Sequence, residues 1–192
     1  MILRTALPLL TLTSASLASA QVSYLLDAAS GHVPPFSLFS ANGVDARTKV
    51  TPQGYLLEAK FNTGDWVSLR TRAVDHVAFA AMNSVELTLD LRGHSRFSPR
   101  FTMTDRVNGK EEFWWVDFPD IAPGTYTLCA NLDTAKISFG VGSLQNDLRL
   151  DRAAIHAVEV NFTRPSNMQV PQKLTVFITM IRLHPTKNCI EN

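Results

Sequence analysis

The densest group of chemically useful side chains in this 192-residue sequence is the aromatic run at residues 113–118, Phe-Trp-Trp-Val-Asp-Phe. Successive side chains of an extended strand point to opposite faces, so Trp114 and Trp115 are expected to separate. Val116 shares a face with Trp114, which predicts that this face is buried and that Trp115 and Asp117 are exposed. A flat ring can stack on the apolar face of a sugar, while a carboxylate accepts hydrogen bonds from its hydroxyls.

The sequence around Trp66 predicts a second face of the same kind, because Val67 and Leu69 alternate with polar or aromatic neighbours. Trp66 and Arg70 then point away from the core, together with the small Ser68. An exposed indole beside a guanidinium offers a sugar both a stacking surface and hydrogen-bond donors. The alternative for both tryptophan clusters is structural, since large rings also plug the ends of β-sandwiches or pack under loops.

The sequence contains none of the common catalytic motifs that were considered. The five histidines form no two-histidine zinc motif, and no Gly-x-Ser-x-Gly nucleophile elbow occurs. Glu86 and Asp90 share one strand face but lie about 13 Å apart, beyond the roughly 5–9.5 Å that the paired carboxylates of glycosidases need. Glu111 and Glu112 are predicted to be solvated, and Asp105 to lie in a hairpin turn. Acids on adjacent strands could still meet, so a hydrolase or lyase with an unrecognised acid pair is one hypothesis.

These candidate residues must be positioned by β-strands, because a period of two dominates the sequence. Residues 85–92 alternate without an error between apolar and polar side chains, and residues 55–61 and 157–162 repeat the pattern. Pro123-Gly124 predicts a turn that leads into another strand. Residues 174–181 are apolar on both faces, which predicts a central strand covered on both sides. The sequence therefore predicts an all-β fold, a two-sheet antiparallel β-sandwich of the jelly-roll type.

The first twenty residues are predicted to be a secretory signal peptide that is removed. Arg4 supplies the early positive charge, residues 7–12 are apolar apart from one threonine, and residues 18–20 are small. Cleavage is expected before Gln21, which leaves residues 21–192 as a single domain of a secreted or periplasmic protein. The apolar run is too short to span a bilayer, and no later segment resembles a membrane span. The alternative interpretation of this run is a buried N-terminal strand.

Charge and composition exclude several classes of function. The chain carries a net charge of +1 with 45% hydrophobic residues, and loss of Arg4 would leave it neutral. Nucleic-acid and membrane-surface binders need a basic excess, and acidic disordered chains lack such a hydrophobic content. A neutral protein suits an uncharged ligand or an apolar partner better than a polyanion. The expected partner is therefore a neutral carbohydrate rather than nucleic acid or a membrane.

Export would change what the two cysteines can do. Cys129 and Cys189 are separated by 59 residues, and an oxidising compartment would allow them to form one disulfide. The chain-entropy model assigns about 4 kcal/mol to the closure of such a long loop. The alternative is that Cys129 is an unpaired thiol in the core.

Short motifs follow one another along the chain in the order of a known module. They are Tyr-Leu-Leu-Asp at 24–27, Val-Pro-Pro-Phe at 33–36, Val-Thr-Pro-Gln-Gly at 50–54, the strands at 83–92, 100–105, 155–160 and 174–183, the Gly109 turn, and Pro-Gly-Thr-Tyr at 123–126. In combination they cover nearly all of residues 24–184. The chain resembles the galactose-binding-like jelly rolls attached to bacterial β-agarases and related polysaccharide hydrolases. This resemblance implies the jelly-roll fold and a non-catalytic carbohydrate-binding role.

The resemblance departs at one point that bears on metals. Relatives often carry an Asp before the Ile-Arg ending of the last strand, where this chain has Thr179 and Met180. If that Asp helps to hold a structural calcium ion in relatives, Asp27 lacks its usual partner, and calcium takes about 6–8 oxygen ligands. No cofactor is therefore expected to be required, and no metal ligand is assigned.

The sequence thus favours an exported, non-catalytic carbohydrate-binding module for a neutral polysaccharide or oligosaccharide. The candidate carbohydrate contacts are Trp66, Arg70, Trp115 and Asp117. A competing hypothesis is a structural or interaction protein of the cell envelope that keeps the fold without a sugar site. Such a protein would expose an apolar patch on the order of several hundred Å².

Overall fold

The alternating segments of the sequence form twelve β-strands in a computed structural model, which describes residues 21–75, 77–137, 149–166 and 171–189. The predicted signal peptide, residues 1–20, lies outside these ranges. Within them, helical structure is confined to three short 3₁₀ turns. No helix in the described ranges is long and apolar enough to cross a membrane.

The strands are β1 (Ser23–Asp27), β2 (Ser37–Ser40), β3 (Val44–Thr51), β4 (Gly54–Phe61), β5 (Trp66–Thr71), β6 (Ser84–Arg92), β7 (Ser98–Val107), β8 (Lys110–Asp117), β9 (Gly124–Asn131), β10 (Lys136–Ile137), β11 (Ile155–Thr163) and β12 (Gln172–His184). The 3₁₀ turns are Phe79–Ala81, Leu132–Thr134 and Arg152–Ala154.

Two antiparallel six-stranded sheets divide the strands between them. In the first sheet the order is β3-β4-β12-β6-β9, and β1 also pairs with β12. In the second sheet the order is β10-β8-β7-β11-β5-β2. Strands that are distant in sequence lie side by side in both sheets, as in a jelly roll. The predicted all-β sandwich is confirmed.

The core lies between the sheets and is built by the inward face of each alternating strand. Leu87 and Leu89 of β6 are buried on one side, and Val160 and Phe162 of β11 are buried on the other. The polar residues between them point outward, because successive side chains alternate across a strand. The inward faces therefore agree with the pattern read from the sequence.

The prediction that residues 174–181 are covered on both sides is wrong for the outward face. β12 is central, since it pairs with β4 and β6, and Val176 and Ile178 are buried between the sheets. Phe177 on the other face is only half-buried. The guanidinium of Arg92 stacks on its ring, with Cζ 4.2 Å from the ring centroid. A cation over the ring takes the place of a second packed layer.

The C-terminal tail, residues 185–189, is attached to the edge strand of the first sheet. The predicted disulfide is present and joins Cys189 to Cys129 on β9. The side chain of Asn131 accepts a hydrogen bond from the Cys189 N–H at 2.7 Å and donates one to its C=O at 3.1 Å. The disulfide and the two hydrogen bonds of Asn131 thus hold the end of the tail at Cys189.

Glu86 faces outward on β6 and is nevertheless only 2% exposed. Arg182 of β12 and Lys187 of the C-terminal tail both donate hydrogen bonds to its carboxylate, and His184 Nε2 lies 3.7 Å away from Glu86 Oε2. Burial alone would raise the pKa of Glu86, but the hydrogen bonds from Lys187 and Arg182 outweigh it and hold the pKa below its usual range.

Candidate functional site

The register of the second sheet aligns one outward side chain from each of its six strands. Glu159 on β11 lies opposite Arg70 on β5 and opposite Thr102 on β7, and Thr102 in turn lies opposite Trp115 on β8. We call this line the central row. From the β2 edge to the β10 edge it consists of Ser37, Arg70, Glu159, Thr102, Trp115 and Lys136.

A second row runs beside the central row on the same outward face. Its members, from the β2 edge towards β8, are Phe39, Ser68, Asn161, Arg100 and Asp117. Trp66 lies two residues further along β5 than Ser68, opposite Thr163 of β11. Side chains two residues apart share a face, so the structure brings the predicted contacts Trp66, Arg70, Trp115 and Asp117 onto one face.

A surface cleft of about 430 Å³ crosses this face diagonally. Its lining residues are Asp65, Trp66, Arg100, Thr102, Phe113, Trp115, Glu159, Asn161 and Thr163. From the strand spacing and the register, the Cα atoms of Trp66 and Trp115 lie ~20 Å apart. The predicted contacts Arg70 and Asp117 lie beside the cleft and do not line it. The two indoles therefore lie at opposite ends of the cleft.

The two neighbouring tryptophans of β8 separate as predicted. Trp114 is 7% exposed and belongs to the core, whereas Trp115 is half-buried on the outward face. The Cζ atom of Arg100 lies 5.4 Å from the centroid of the Trp115 ring. This cation fixes the indole from one side and leaves the ring as part of the cleft wall.

The carboxylate of Asp117 forms ion pairs with two cations, Arg100 and Lys136. Its carboxylate accepts a hydrogen bond from Arg100 Nε at 2.7 Å and one from Lys136 Nζ at 3.1 Å. Burial by itself would raise the pKa of Asp117, but Lys136 and Arg100 outweigh it and lower the pKa. Asp117 therefore orients Arg100 toward the cleft, while Arg100 presents its remaining N–H donors there.

Arg70 lies across the opposite end of the face. Its Nη2 donates a long hydrogen bond of 3.4 Å to Thr104 Oγ1, and its Cζ is 5.7 Å from the Phe113 ring centroid. Thr104 points outward and is yet only 2% exposed, because the arginine side chain covers it. The guanidinium thus borders both the cleft and the β2 edge of the sheet.

Sequence reasoning missed Glu159 as a member of the site. It is half-buried in the cleft and makes no ion pair or hydrogen bond with any residue that the structure describes. Asn161 stands beside it, with its Oδ1 accepting a hydrogen bond from Thr163 Oγ1 at 3.0 Å. The alternation of β11 assigned both side chains to the outward face, but it carried no sign that aromatic residues from β5 and β8 would flank them.

The predictions for Glu112 and Asp105 are wrong. Glu112 is 2% exposed and Asp105 is fully buried, and they lie opposite each other on the inward faces of β8 and β7. The Asp151 N–H donates to Asp105 Oδ2 at 2.9 Å. Burial, reinforced by the charge of Glu112, raises the pKa of Asp105 against the effect of that hydrogen bond. These acids meet across adjacent strands, but they do so inside the sandwich rather than in the cleft.

The Asp27 side chain has partners in the local backbone. Its Oδ1 accepts hydrogen bonds from the N–H groups of Ala29 at 3.1 Å and Ser30 at 3.4 Å, closing the turn after β1. In the described residues, no group of three or more histidine, cysteine or acidic side chains is arranged to hold a metal ion.

Comparison with known proteins identifies the fold. No protein-family model and no curated protein matches the sequence. The structure is similar to the family 11 carbohydrate-binding module from Clostridium thermocellum in complex with a β-1,3-1,4-mixed-linked tetrasaccharide, with a TM-score of 0.61 and 18% identity over 85% of this chain and 95% of the module. It is also similar to the family 11 module of a cellulosomal cellulase of Clostridium thermocellum, with a TM-score of 0.59 and 17% identity over 87% of this chain and 96% of that chain.

An agarase is a third similar structure, with a TM-score of 0.51 and 13% identity over 85% of this chain. The match covers 24% of the agarase chain. At these identities the comparisons show the fold, and the predicted likeness to jelly rolls of agarases is confirmed at that level. The chain has the β-sandwich fold found in carbohydrate-binding modules.

Proposed function

We propose that this protein is an exported carbohydrate-binding protein whose ligand lies in the cleft of the second sheet. The observation that carries the proposal is Glu159, a carboxylate without a protein partner among the described residues, in a cleft that Trp66 and Trp115 line. A half-buried acid that makes no ion pair is available to accept hydrogen bonds from two adjacent hydroxyls. The aromatic rings supply the apolar stacking surface that such a ligand also needs.

The groups of the cleft divide the work of recognition. Trp66 and Trp115 stack on the apolar faces of sugar residues at the two ends of the cleft. In the region between the two indoles, Glu159 accepts hydrogen bonds from the ligand, and Asn161 both accepts and donates them. Arg100, which is oriented by Asp117, donates hydrogen bonds to the ligand. These side chains project from hydrogen-bonded strands, so the backbone that carries them does not need to become ordered on binding.

Two features support export. The first twenty residues have the layout of a secretory signal, and the Cys129–Cys189 disulfide is of the kind that persists in oxidising compartments. Secretion or a periplasmic location follows from this proposal. Detection of a mature N-terminus at Gln21 in the culture medium or periplasm tests it, whereas a retained residue 1–20 segment in cytosol contradicts it.

Removal of both indoles tests the proposed site. We expect Trp66→Ala, Trp115→Ala to weaken binding about 100-fold, or about 2.7 kcal/mol, because buried aromatic anchors carry most of the energy of such contacts. Affinity electrophoresis through gels that contain agarose, mixed-linked β-glucan or xylan measures the retardation, with circular dichroism as the folding check.

Phe177→Ala is the matched control, since it removes an aromatic ring from the outward face of the other sheet. It should leave retardation unchanged. Equal retardation of the double variant and the unaltered protein would place any binding elsewhere. An absence of retardation in every gel would exclude the function and favour the envelope-interaction hypothesis.

Glu159→Gln separates hydrogen bonding from stacking. The amide keeps one acceptor and loses the charge, so we expect about tenfold weaker binding, since a hydrogen bond to a charged group contributes about 1.5–3 kcal/mol. Calorimetric titration with the oligosaccharide of whichever polysaccharide retards the protein gives the affinity. Unchanged affinity in this variant would remove Glu159 from the binding role.

A further inference from the structure

We propose that the ligand carries an acidic group, a carboxylate or a sulfate ester, and that Arg70 and Arg72 hold this group at the β2 edge of the face. The inference rests on the proposed function, because the acidic group belongs to the same polysaccharide whose neutral sugars occupy the cleft. It follows from a second groove that adjoins the cleft at Arg70.

The second groove is cationic and has an aromatic wall. Its lining residues are Pro35, Ser37, Phe39, Arg70, Thr71, Arg72 and Ala73. Two arginines and no acidic residue are among them. Phe39 is 45% exposed and lines this groove beside the arginines. The groove therefore combines positive charge with a flat apolar surface.

Both guanidinium groups retain donors for a ligand. Arg70 makes one long hydrogen bond with the described residues, from Nη2 to Thr104 Oγ1 at 3.4 Å, while its Nε is buried and not accessible to a ligand. Arg72 is exposed and forms no ion pair or hydrogen bond with the described residues. A guanidinium has five N–H donors, so the terminal nitrogens of both arginines keep donors that the described residues do not use.

The nearby acids do not neutralise this pair. Glu111 is engaged by Arg106, and His156 Nε2 lies 3.3 Å from the same carboxylate. Glu159 lies opposite Arg70 across the β5–β11 pair, yet no salt bridge joins them. Burial, followed by the charges of Arg106, Arg70 and Arg72, keeps the pKa of His156 below its usual value despite Glu111. The positive charge at this end of the face therefore lowers the pKa of the neighbouring His156.

The geometry matches an acidic sugar residue. Arg70 lies near the end of β5, Arg72 follows directly after the strand ends at Thr71, and both line the groove. Planar guanidinium groups bind carboxylate and sulfate oxygens in pairs. Phe39 would contact the apolar face of the ring that bears the acid. The net charge of the chain does not describe the local charge at this groove. A nearly neutral protein can therefore bind an acidic group at one end of a largely uncharged ligand.

Arg72→Gln is the diagnostic variant, because Arg72 lies outside the cleft that binds the neutral sugars. Lys173→Gln, an equal loss of charge on an exposed position of the other sheet, is the control. Affinity electrophoresis at 0.05 M and 0.5 M NaCl would compare three probes: agarose, a sulfated galactan (carrageenan) and a polyuronate (polygalacturonate). We expect at least one acidic polymer to bind more tightly than agarose at low salt, with the advantage reduced at high salt as screening sets in.

Arg72→Gln should weaken binding of that acidic polymer about tenfold and leave the binding of neutral polysaccharide unchanged, while Lys173→Gln changes neither. Preference for carrageenan identifies a sulfate ester, and preference for polygalacturonate identifies a carboxylate. Tryptophan-dependent binding of neutral polymers with no gain from an acidic group overturns this inference and leaves the proposed function standing. Equal effects of the two charge variants also overturn it. No binding of any polymer contradicts both.

Discussion

Replacement of Arg182 and Lys187 together by leucine lowers the free energy of unfolding at pH 7 by about 3 kcal/mol. These two side chains are the cations that donate hydrogen bonds to Glu86, whose side chain is 3% exposed. Their removal leaves a buried carboxylate whose remaining ionisable neighbour among the described residues is His184. The penalty comes from the unpaired charge, because a buried ion in a medium of low polarisability is costly to maintain.

The pH dependence distinguishes this cause from lost packing. In the unaltered protein the lowered pKa of Glu86 contributes stability above the carboxyl pKa of the unfolded chain, and this contribution is lost as the pH falls through the folded value. In the double variant the pKa of Glu86 is expected to rise instead. Its destabilisation should therefore shrink on acidification to pH 4–5, as Glu86 accepts a proton.

Urea unfolding at pH 7 and pH 4.5 measures both effects. A triple variant that adds Glu86→Met supplies the control, because an apolar side chain of similar length removes the charge and should restore most of the lost stability at pH 7. An equal loss at both pH values, with no recovery in the triple variant, would show that Arg182 and Lys187 act by packing alone.

Reduction of the Cys129–Cys189 disulfide lowers the free energy of unfolding by about 4 kcal/mol, because the bond closes a loop between residues 60 apart and its loss restores conformational entropy to the unfolded chain. Guanidinium unfolding with and without dithiothreitol gives the difference. Cys129→Ala, Cys189→Ala should match the reduced protein and be insensitive to the reductant. If reduction left the midpoint of guanidinium unfolding unchanged, the disulfide would not contribute to stability, and the tail would be held by its non-covalent contacts alone.

The disulfide and the Glu86 ion pairs are expected to be coupled. The C-terminal tail carries Lys187 to Glu86 and is held two residues later by Cys189. Once the disulfide is open, Lys187 spends less time at the carboxylate. Lys187→Leu should therefore cost less stability in the reduced protein than in the oxidised one, and additive effects would contradict this coupling.

Local alternation in the sequence determined which side chains face inward. Trp114 enters the core while Trp115 remains on the surface, and Val67 and Leu69 are buried between outward neighbours. The reason is geometric, since an extended strand must place successive side chains on opposite faces. The same rule, applied to many short segments, was enough to predict two antiparallel sheets and the faces of all four candidate contacts.

Only the tertiary structure decided which strands are neighbours. A period of two assigns Glu159 to an outward face, but the pairing of β11 with β5 and β7 is what places it in one row with Arg70 and Trp115. Pairing partners lie tens of residues apart in sequence, and their choice depends on how the entire core packs. The position of Glu159 in the cleft was therefore not evident from the linear pattern.

The same limit explains why Glu112 was predicted to be solvated and why the burial of Glu86 was not predicted at all. Glu86 is covered by Arg182 and by Lys187 of the C-terminal tail, and Glu112 meets Asp105 between the sheets. Sequence alone determined the all-β class, the inward and outward faces of the alternating strands, and the outward positions of Trp66 and Trp115. The tertiary structure decided what covers each face and which charges meet, because burial and pairing depend on neighbours that are close in space and distant along the chain.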